Sequence, residues 1–308
     1  LPDLLSEPEE SVAFVWDQTL STAGFSICSA KPKVGKSTVA RNLAVAVATG
    51  AAFLGRTTQA GAVLYLCLEE KRSEIASHFR RMGVNADAIS VHTGKPPDNA
   101  VESLTVAIQE LNPGLVIIDP LSRIFRVSDF NDYGGVTRAL EPLVDLARDT
   151  GCHILALHHD GKMGREGGDA LLGSTGFFGA VDCHLQLSVR DGKRVLSSTQ
   201  RYGVDLDPTI ITLDKETGVV FTEGSLAELK SMNTRKAVLA LFEDGEKLSQ
   251  TDIKDRISNR SRGEVSTALK ILMDEELIER QGSGKRNDAH VYSMASKPRE
   301  VSGDRTIV

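Results

Sequence analysis

Short, nearly continuous apolar runs recur through the first half of the chain, at residues 24–29, 62–68, 89–92, 115–119 and 153–158. Between them lie stretches with apolar residues at helical spacing: 37–49, 73–82, 101–111 and 134–150. The first class is too short for helix and reads as strands buried on both faces; the second reads as helices. Strands alternating with helices predict an α/β fold whose mostly parallel sheet is covered on both sides. Such sheets bind ligands beyond the carboxyl ends of their strands. After Gly176 the alternation stops. Runs at 181–189, 194–199, 209–213 and 219–222 read as strands in succession, with turns at Asp191-Gly192 and Thr217-Gly218. They predict an antiparallel extension of the sheet.

From Leu226 the pattern changes again. Helical spacing appears at 234–242, 250–257 and 262–275, with Ser249 and Ser261 placed to cap two of the helices. Two short strands, 277–280 and 290–293, flank a loop of Gly, Ser, Lys and Arg. Three helices followed by a hairpin is the pattern of a small winged helix-turn-helix domain. The expected division is therefore 12–224, 226–295 and a polar, flexible tail at 296–308.

A length of 308 residues suits two domains, and 41% apolar with 25% charged residues is ordinary for a globular protein. The net charge of −6 removes any overall basic field, so contact with nucleic acid must come from local patches. Cys28, Cys67, Cys152 and Cys183 lie far apart, without metal-ligand spacing, and read as reduced core thiols. The acidic start lacks a signal-peptide pattern, and no apolar run is long enough to cross a membrane. A cytoplasmic protein with no membrane partner is expected.

The chemistry starts at Ala30-Lys31-Pro32-Lys33-Val34-Gly35-Lys36-Ser37-Thr38, between a strand and a helix. That is the setting of a phosphate-binding P-loop, where backbone N–H groups and a helix N-terminus converge on an anion. Lys36 would reach the outer phosphates, and the Ser37 hydroxyl would sit on Mg²⁺. Ala30 stands where the first glycine is usual. Asp119 ends an apolar strand; after a P-loop, such a carboxylate orders Mg²⁺. Glu69 and Glu70 directly follow another strand, and a carboxylate there can polarise an attacking water. Glu69 is the preferred base and Glu70 its competitor; solvated acids opening a helix are the plainer alternative. His158 and His159 end a further strand, where a polar group can sense the γ-phosphate. The glycine-rich loop 161–179 carries Lys162, Arg165, Ser174 and Thr175, suited to a DNA phosphate backbone, or is simply a surface loop. Loop 121–133, with Arg123 and Arg126, has the same status. Arg201 closes a strand, where a solvated surface arginine is the ordinary reading.

In this order the motifs resemble those of RecA-like P-loop ATPases, and within them hexameric replicative helicases of the DnaB and plasmid RepA kind. They look closest to small RepA-like AAA ATPases with one ATPase domain. The resemblance spans about residues 14–220 and rests on Ala30 to Ser37, Tyr65-Leu66-Cys67-Leu68-Glu69, Ile117-Ile118-Asp119-Pro120-Leu121-Ser122-Arg123, Leu157-His158-His159-Asp160-Gly161-Lys162, Gly173-Ser174-Thr175 and Gln200-Arg201-Tyr202-Gly203. It implies ATP and Mg²⁺ as cofactors, with Glu69 as catalytic glutamate, Asp119 ordering the metal and His159 as γ-phosphate sensor with His158 behind it. Arg201 would be an arginine finger acting across a subunit boundary, in a ring that is usually a hexamer gripping single-stranded DNA. DnaB-like helicases carry a lysine two residues before that arginine; here the position is Thr199.

The carboxy-terminal module lies outside the resemblance. Its third helix would read duplex DNA through Arg260, Arg262 and Lys270, with Lys285 and Arg286 at the wing tip. Asp274, Glu275, Glu276 and Glu279 place acid beside these bases, and a protein-interaction role is the alternative. The expected function is an ATP-driven DNA motor. An ATP-switched DNA-binding regulator without unwinding activity is the rival, and a small-molecule kinase is weaker.

Overall fold

The middle strand of the largest sheet is Phe25–Ala30, all six residues of which are buried. It belongs to a computed structural model that describes residues 11–84, 87–125, 133–159, 179–257, 260–285 and 288–295. The chain divides into two compact units between Gly224 and Ser225.

In the first unit the strands are β1 (Phe14–Trp16), β2 (Leu20–Ser21), β3 (Phe25–Ala30), β4 (Val63–Cys67), β5 (Ile89–Thr93), β6 (Leu115–Asp119) and β7 (His153–His159). They are followed by β8 (Cys183–Arg190), β9 (Lys193–Gln200), β10 (Thr209–Leu213) and β11 (Val220–Ser225). The helices are α1 (Lys36–Thr49), α2 (Arg72–Arg81), α3 (Ala100–Leu111) and α4 (Tyr133–Thr150). Nine strands form one sheet in the order β11-β10-β9-β8-β3-β7-β6-β4-β5. Neighbours from β5 to β8 run parallel, whereas β8–β9 and β9–β10 are antiparallel. The expected antiparallel extension therefore begins one strand later than read from the sequence, because β8 itself joins β3 in parallel.

Helices cover both faces. One apolar cluster packs Val39, Leu43 and Val47 of α1 and Ile75 of α2 against Leu155, Leu157 and Leu185. The other packs Leu104 and Ile108 of α3 and Leu140 and Leu143 of α4 against Ile27, Val116 and Ile118. Each such side chain contributes about 1.5–3 kcal/mol by leaving water, which is why β3 and β6 are apolar on both faces. The β1–β2 hairpin escapes sequence reading because elements of three and two residues are too short to show a period. Among the described residues no helix is long and apolar enough to cross a membrane.

The second unit holds α5 (Leu226–Ala240), β12 (Leu248–Ser249), α6 (Gln250–Arg256), α7 (Arg262–Asp274), β13 (Ile278–Gln281) and β14 (Val291–Met294). Its core gathers Val238, Phe242, Ile253, Val265, Leu269, Leu272, Ile278 and Tyr292. Ser249 and Ser261 cap their helices as expected, each accepting from the backbone N–H three residues on. The first helix differs from expectation: it begins at Leu226, well before residue 234. Ser225 and Glu228 form a capping box there, at 3.0 and 2.9 Å, and the weakly amphipathic first turns carry no periodicity to reveal it. A third strand, β12, pairs with β14 and completes a small antiparallel sheet. Gly282 has φ +91°, and a Cβ there would run into the Ala289 carbonyl, so the hairpin demands glycine. The tail 296–308 lies outside the described residues.

Candidate nucleotide-binding site

Sheet register decides which motif residues meet. Ala30 pairs with His159 across β3 and β7, and Cys67 pairs with Asp119 across β4 and β6. The carboxyl ends of these four strands thus share one side of the sheet, where the loop 31–35 turns into α1. Ala30 still lies in extended β3 backbone, so a Cβ at the usual glycine position brings no strain. The turn itself needs positive φ at Lys33 (65°) and Gly35 (118°). Gly35 is the residue before α1 and has no side chain to cap the helix, which leaves the helix start to an anion. Lys31, Pro32 and Lys33 are exposed, Val34, Ser37 and Thr38 are half-buried, and Lys36 is buried.

The Lys36 ammonium lies 3.4 Å from the Ala30 carbonyl, to which it donates, and 3.0 Å from His159 Nδ1. Ser37 and Tyr65 hydroxyls both donate to Asp119, the latter at 3.1 Å. Burial raises the Asp119 carboxyl above its ordinary value, and these two hydrogen bonds oppose the rise. One terminal nitrogen of Arg41 donates to both oxygens of Glu70, at 2.9 and 3.1 Å. Glu69 turns outward to Arg123, at 3.0 Å, with both partners about half exposed. The two glutamates left open by sequence are therefore in different electrostatic states: Glu70 is tied to a buried cation, Glu69 to an exposed one.

Cys67, Glu70 and Asp119 each place a potential ligand atom within 4.8 Å of the others. Burial, then the two carboxylates, pushes the Cys67 thiol up to about 12, so it is protonated at neutral pH, and its soft sulfur is a donor that Mg²⁺ does not select. What remains is the Ser37 hydroxyl and the Asp119 carboxylate, hard donors that fit Mg²⁺ rather than a thiophilic metal, with the Glu70 carboxylate close by but tied to Arg41.

Arg41, Arg194 and His184 were assigned no role by sequence reasoning, and Tyr65 was quoted only as part of a motif. Arg194 Nε donates to the Val34 carbonyl at 2.7 Å, holding β9 against the phosphate loop. A cavity of about 160 Å³ lies beside it, walled by Thr38, Val39, Ile211, Leu213 and Val220. A larger apolar cavity of about 340 Å³, lined by Leu64, Val91, Pro97 and Leu104, has no phosphate-loop residue in its wall. Only the spacing Ser37 to Arg41, four residues on a helix, offered a signal in the sequence.

Arg201 is not brought to Lys36. Its backbone N–H donates to the Asp182 carbonyl at 2.8 Å, and Asp182 in turn accepts from the Phe25 N–H at 3.0 Å. Gln200 pairs with Cys183, which pairs with Ser26. Arg201 therefore sits at the amino end of β3, roughly 13 Å along the strand from Ala30. Its guanidinium lies 3.5 Å from the Asp182 carboxylate and donates to the Gly179 carbonyl at 3.2 Å.

In the second unit Arg262, Lys270 and Lys285 are exposed. Arg260 instead donates to Thr234 Oγ1 at 3.0 Å, bracing α5. The DNA candidates Lys162, Arg165, Ser174, Thr175 and Arg286, together with Arg126, lie outside the described residues.

Three buried histidines add a pH signature. His153, His158 and His184 are each held neutral, pushed from 6.5 down to about 4, foremost by burial. Lys36 and His159 add to the shift at His158, and His158 adds to it at His184. The unfolded chain binds these protons more readily. Their contribution to stability is therefore full above pH 6.5, is lost as pH falls from 6.5 towards 4, and levels off below. The loss is about 3 kcal/mol per group. Thermal unfolding across that window should show a steep fall in Tm; a flat Tm would mean that the three rings are not buried neutral.

A family model described as an AAA domain matches residues 2–165, more than half of the chain. The chain is also similar to a protein described as DNA repair protein RadA from Bacillus subtilis (strain 168), with 25% identity over 144 residues, covering 46% of this chain. That stretch is 29% of the relative, so the chain spans well under half of its length. With the phosphate loop, the Asp119 strand and the parallel sheet in place, the chain belongs to the AAA-domain family, and its first unit is a RecA-like P-loop ATPase core.

Proposed function

We propose that this protein is a ring-forming ATP-hydrolysing motor that translocates on single-stranded DNA, in the manner of a replicative helicase. One observation carries the reading: the phosphate loop and Arg201 lie at opposite ends of the same strands. A chain that holds half of a site at each end completes it only by contact with another copy. A head-to-tail contact that closes makes a ring, for which a hexamer is the expected size. Arg201 of one copy would then stabilise charge on the phosphates held by Lys36 and Ser37 of the next.

Within one copy, ATP would lie along Ala30 to Thr38, its base towards the cavity beside Arg194. Magnesium, held by Ser37 and Asp119, would neutralise phosphate charge. His159, beside Lys36, is placed to register the γ-phosphate and pass its presence to the loop that follows β7. Glu69 is the general base. Its pairing with exposed Arg123 is worth little and exchanges readily for water, whereas both oxygens of Glu70 are occupied by the buried Arg41 guanidinium and are not free to take a water. Glu69→Gln should lower turnover roughly 10²–10⁴-fold, while nucleotide affinity stays near wild type. A comparable affinity loss would remove Glu69 from the role.

The second unit has the helix order and hairpin of a winged helix, and we assign it duplex DNA binding through Arg262, Lys270 and Lys285. The relative's printed description, a DNA repair protein, supports a nucleic-acid partner for the whole chain. A second reading has its own observation. Thr199 replaces the second cation near Arg201, which favours an ATP-switched DNA-binding regulator without unwinding. Native mass measurement with an ATP analogue and a single-stranded oligonucleotide, followed by a strand-displacement assay, separates the two. A ring that displaces strands supports the motor; a ring that does not supports the regulator. A monomer indifferent to both ligands refutes both.

A further inference from the structure

Arg41 is a buried charge that the phosphate-loop chemistry does not call for. It lies four residues after Ser37 on α1, on the same helical face, and is 4% exposed. One terminal nitrogen holds Glu70 by both oxygens, and the other reaches Thr38 Oγ1 at 3.5 Å. Among the described residues the other group within ion-pairing distance of Glu70 is His78, at 3.8 Å. His78 is driven towards its neutral form, chiefly by burial and then by Arg41 itself.

Beside this pair stands Asp119, whose carboxylate lies within 4.8 Å of that of Glu70. Ser37 and Tyr65 hydroxyls serve Asp119, but neither carries a charge. Two carboxylates and a hydroxyl at this spacing are sufficient to attract a hard divalent cation without help from phosphate. Arg41 supplies a positive charge to this group from the protein itself.

We infer that Arg41 is an internal counter-ion and positioning residue that withholds Glu70 from magnesium, so that the cation enters the site only together with nucleotide. The inference rests on the nucleotide-binding reading of Ser37 and Asp119 given above. With Glu70 neutralised, Asp119 and Ser37 alone bind the ion weakly, and the β- and γ-phosphate oxygens must supply the missing charge. Without Arg41 the second carboxylate becomes a competing ligand. The ion is then held by protein whether or not phosphate is present.

The test is Mn²⁺ binding to the full chain without nucleotide, followed by electron paramagnetic resonance. Arg41→Ala should bind Mn²⁺ at least roughly tenfold more tightly than wild type, because one positive charge has left a pair of carboxylates. Arg41→Ala combined with Glu70→Gln should return to the wild-type value, since the surplus carboxylate charge is gone. Arg41→Lys, which keeps the charge, should stay close to wild type. A merely structural Arg41 predicts a different pattern: lower Tm in both alanine variants, and no gain in Mn²⁺ affinity that Glu70→Gln reverses. Unchanged or weaker Mn²⁺ binding by folded Arg41→Ala overturns the inference. If Arg41→Ala does not fold, wild-type binding by Glu70→Asp, with Arg41 intact, supports it, and tight nucleotide-free binding by that variant overturns it. These readouts need no turnover, so an inactive wild type would sink the ATPase reading and leave the counter-ion result to stand by itself.

Discussion

Arg201→Ala is expected to lower ATP turnover roughly 10³–10⁵-fold, the range seen when an arginine finger is withdrawn. Lys36→Ala should be as inactive, because the ammonium we assign to the outer phosphates is gone. The informative experiment mixes the two inactive variants. Arg201 lies at the amino end of β3, next to Asp182 and Phe25, while Lys36 follows its carboxyl end. The stiff strand between them keeps both in place, so one copy cannot serve both halves of its own site. In a random equal mixture, about a quarter of the contacts join an intact phosphate loop to an intact arginine. Turnover should return to about that fraction of wild type. A mixture as dead as its components would show that Arg201 does not act between copies.

Trp16→Ala should cost about 3–5 kcal/mol of stability. Trp16 is fully buried and meets the Phe53 ring edge-on at a centroid distance of 5.1 Å. Its indole N–H donates to the Phe53 carbonyl at 3.1 Å, a carbonyl that also accepts from the Arg56 N–H, so alanine removes one of its two donors. The effect should reach further than β1. Gln18, in the hairpin turn, offers its carbonyl to Gln200 at 2.7 Å and to Arg56 at 3.1 Å. The same carbonyl lies so close to Gly203 that a Cβ there would be 2.8 Å from it. The hairpin therefore braces the turn that carries Arg201. Denaturant unfolding followed by circular dichroism gives the stability change; a loss below about 1 kcal/mol would mean that the site relaxes around the cavity. Since this is the sole tryptophan of the chain, wild-type fluorescence reports on the same hairpin directly.

Much of this architecture was legible in the residues themselves. The alternation of short apolar runs and helical stretches is a local property, and it marked the parallel part of the sheet. The phosphate loop was visible because a helix start, a glycine turn, a lysine and a hydroxyl must be contiguous to grip one anion. The placement of Asp119, His158 and His159 at this edge was legible for a related reason: they end strands, and in a parallel sheet strand ends share one side. Helix caps at Ser249 and Ser261 likewise need only three residues of context. The early start of α5 was not legible, since its first turns bury few side chains and so leave no period to read.

Charge pairing was a different matter. Glu69 and Glu70 are adjacent in sequence and chemically alike, and no local rule separates them. Only the approach of α1 across β4 gives one a buried guanidinium, and only the turn after β6 gives the other an exposed one. The same holds for Arg41, which sequence presents as one more polar residue in a helix. The distance between Lys36 and Arg201 was likewise invisible, because it depends on β8 running parallel to β3 and β9 folding back. The sequence alone determined which side chains have the chemistry for phosphate and cation. Tertiary structure decided which charges neutralise one another and which end of the sheet each faces, because electrostatic energy follows distance through space rather than separation along the chain.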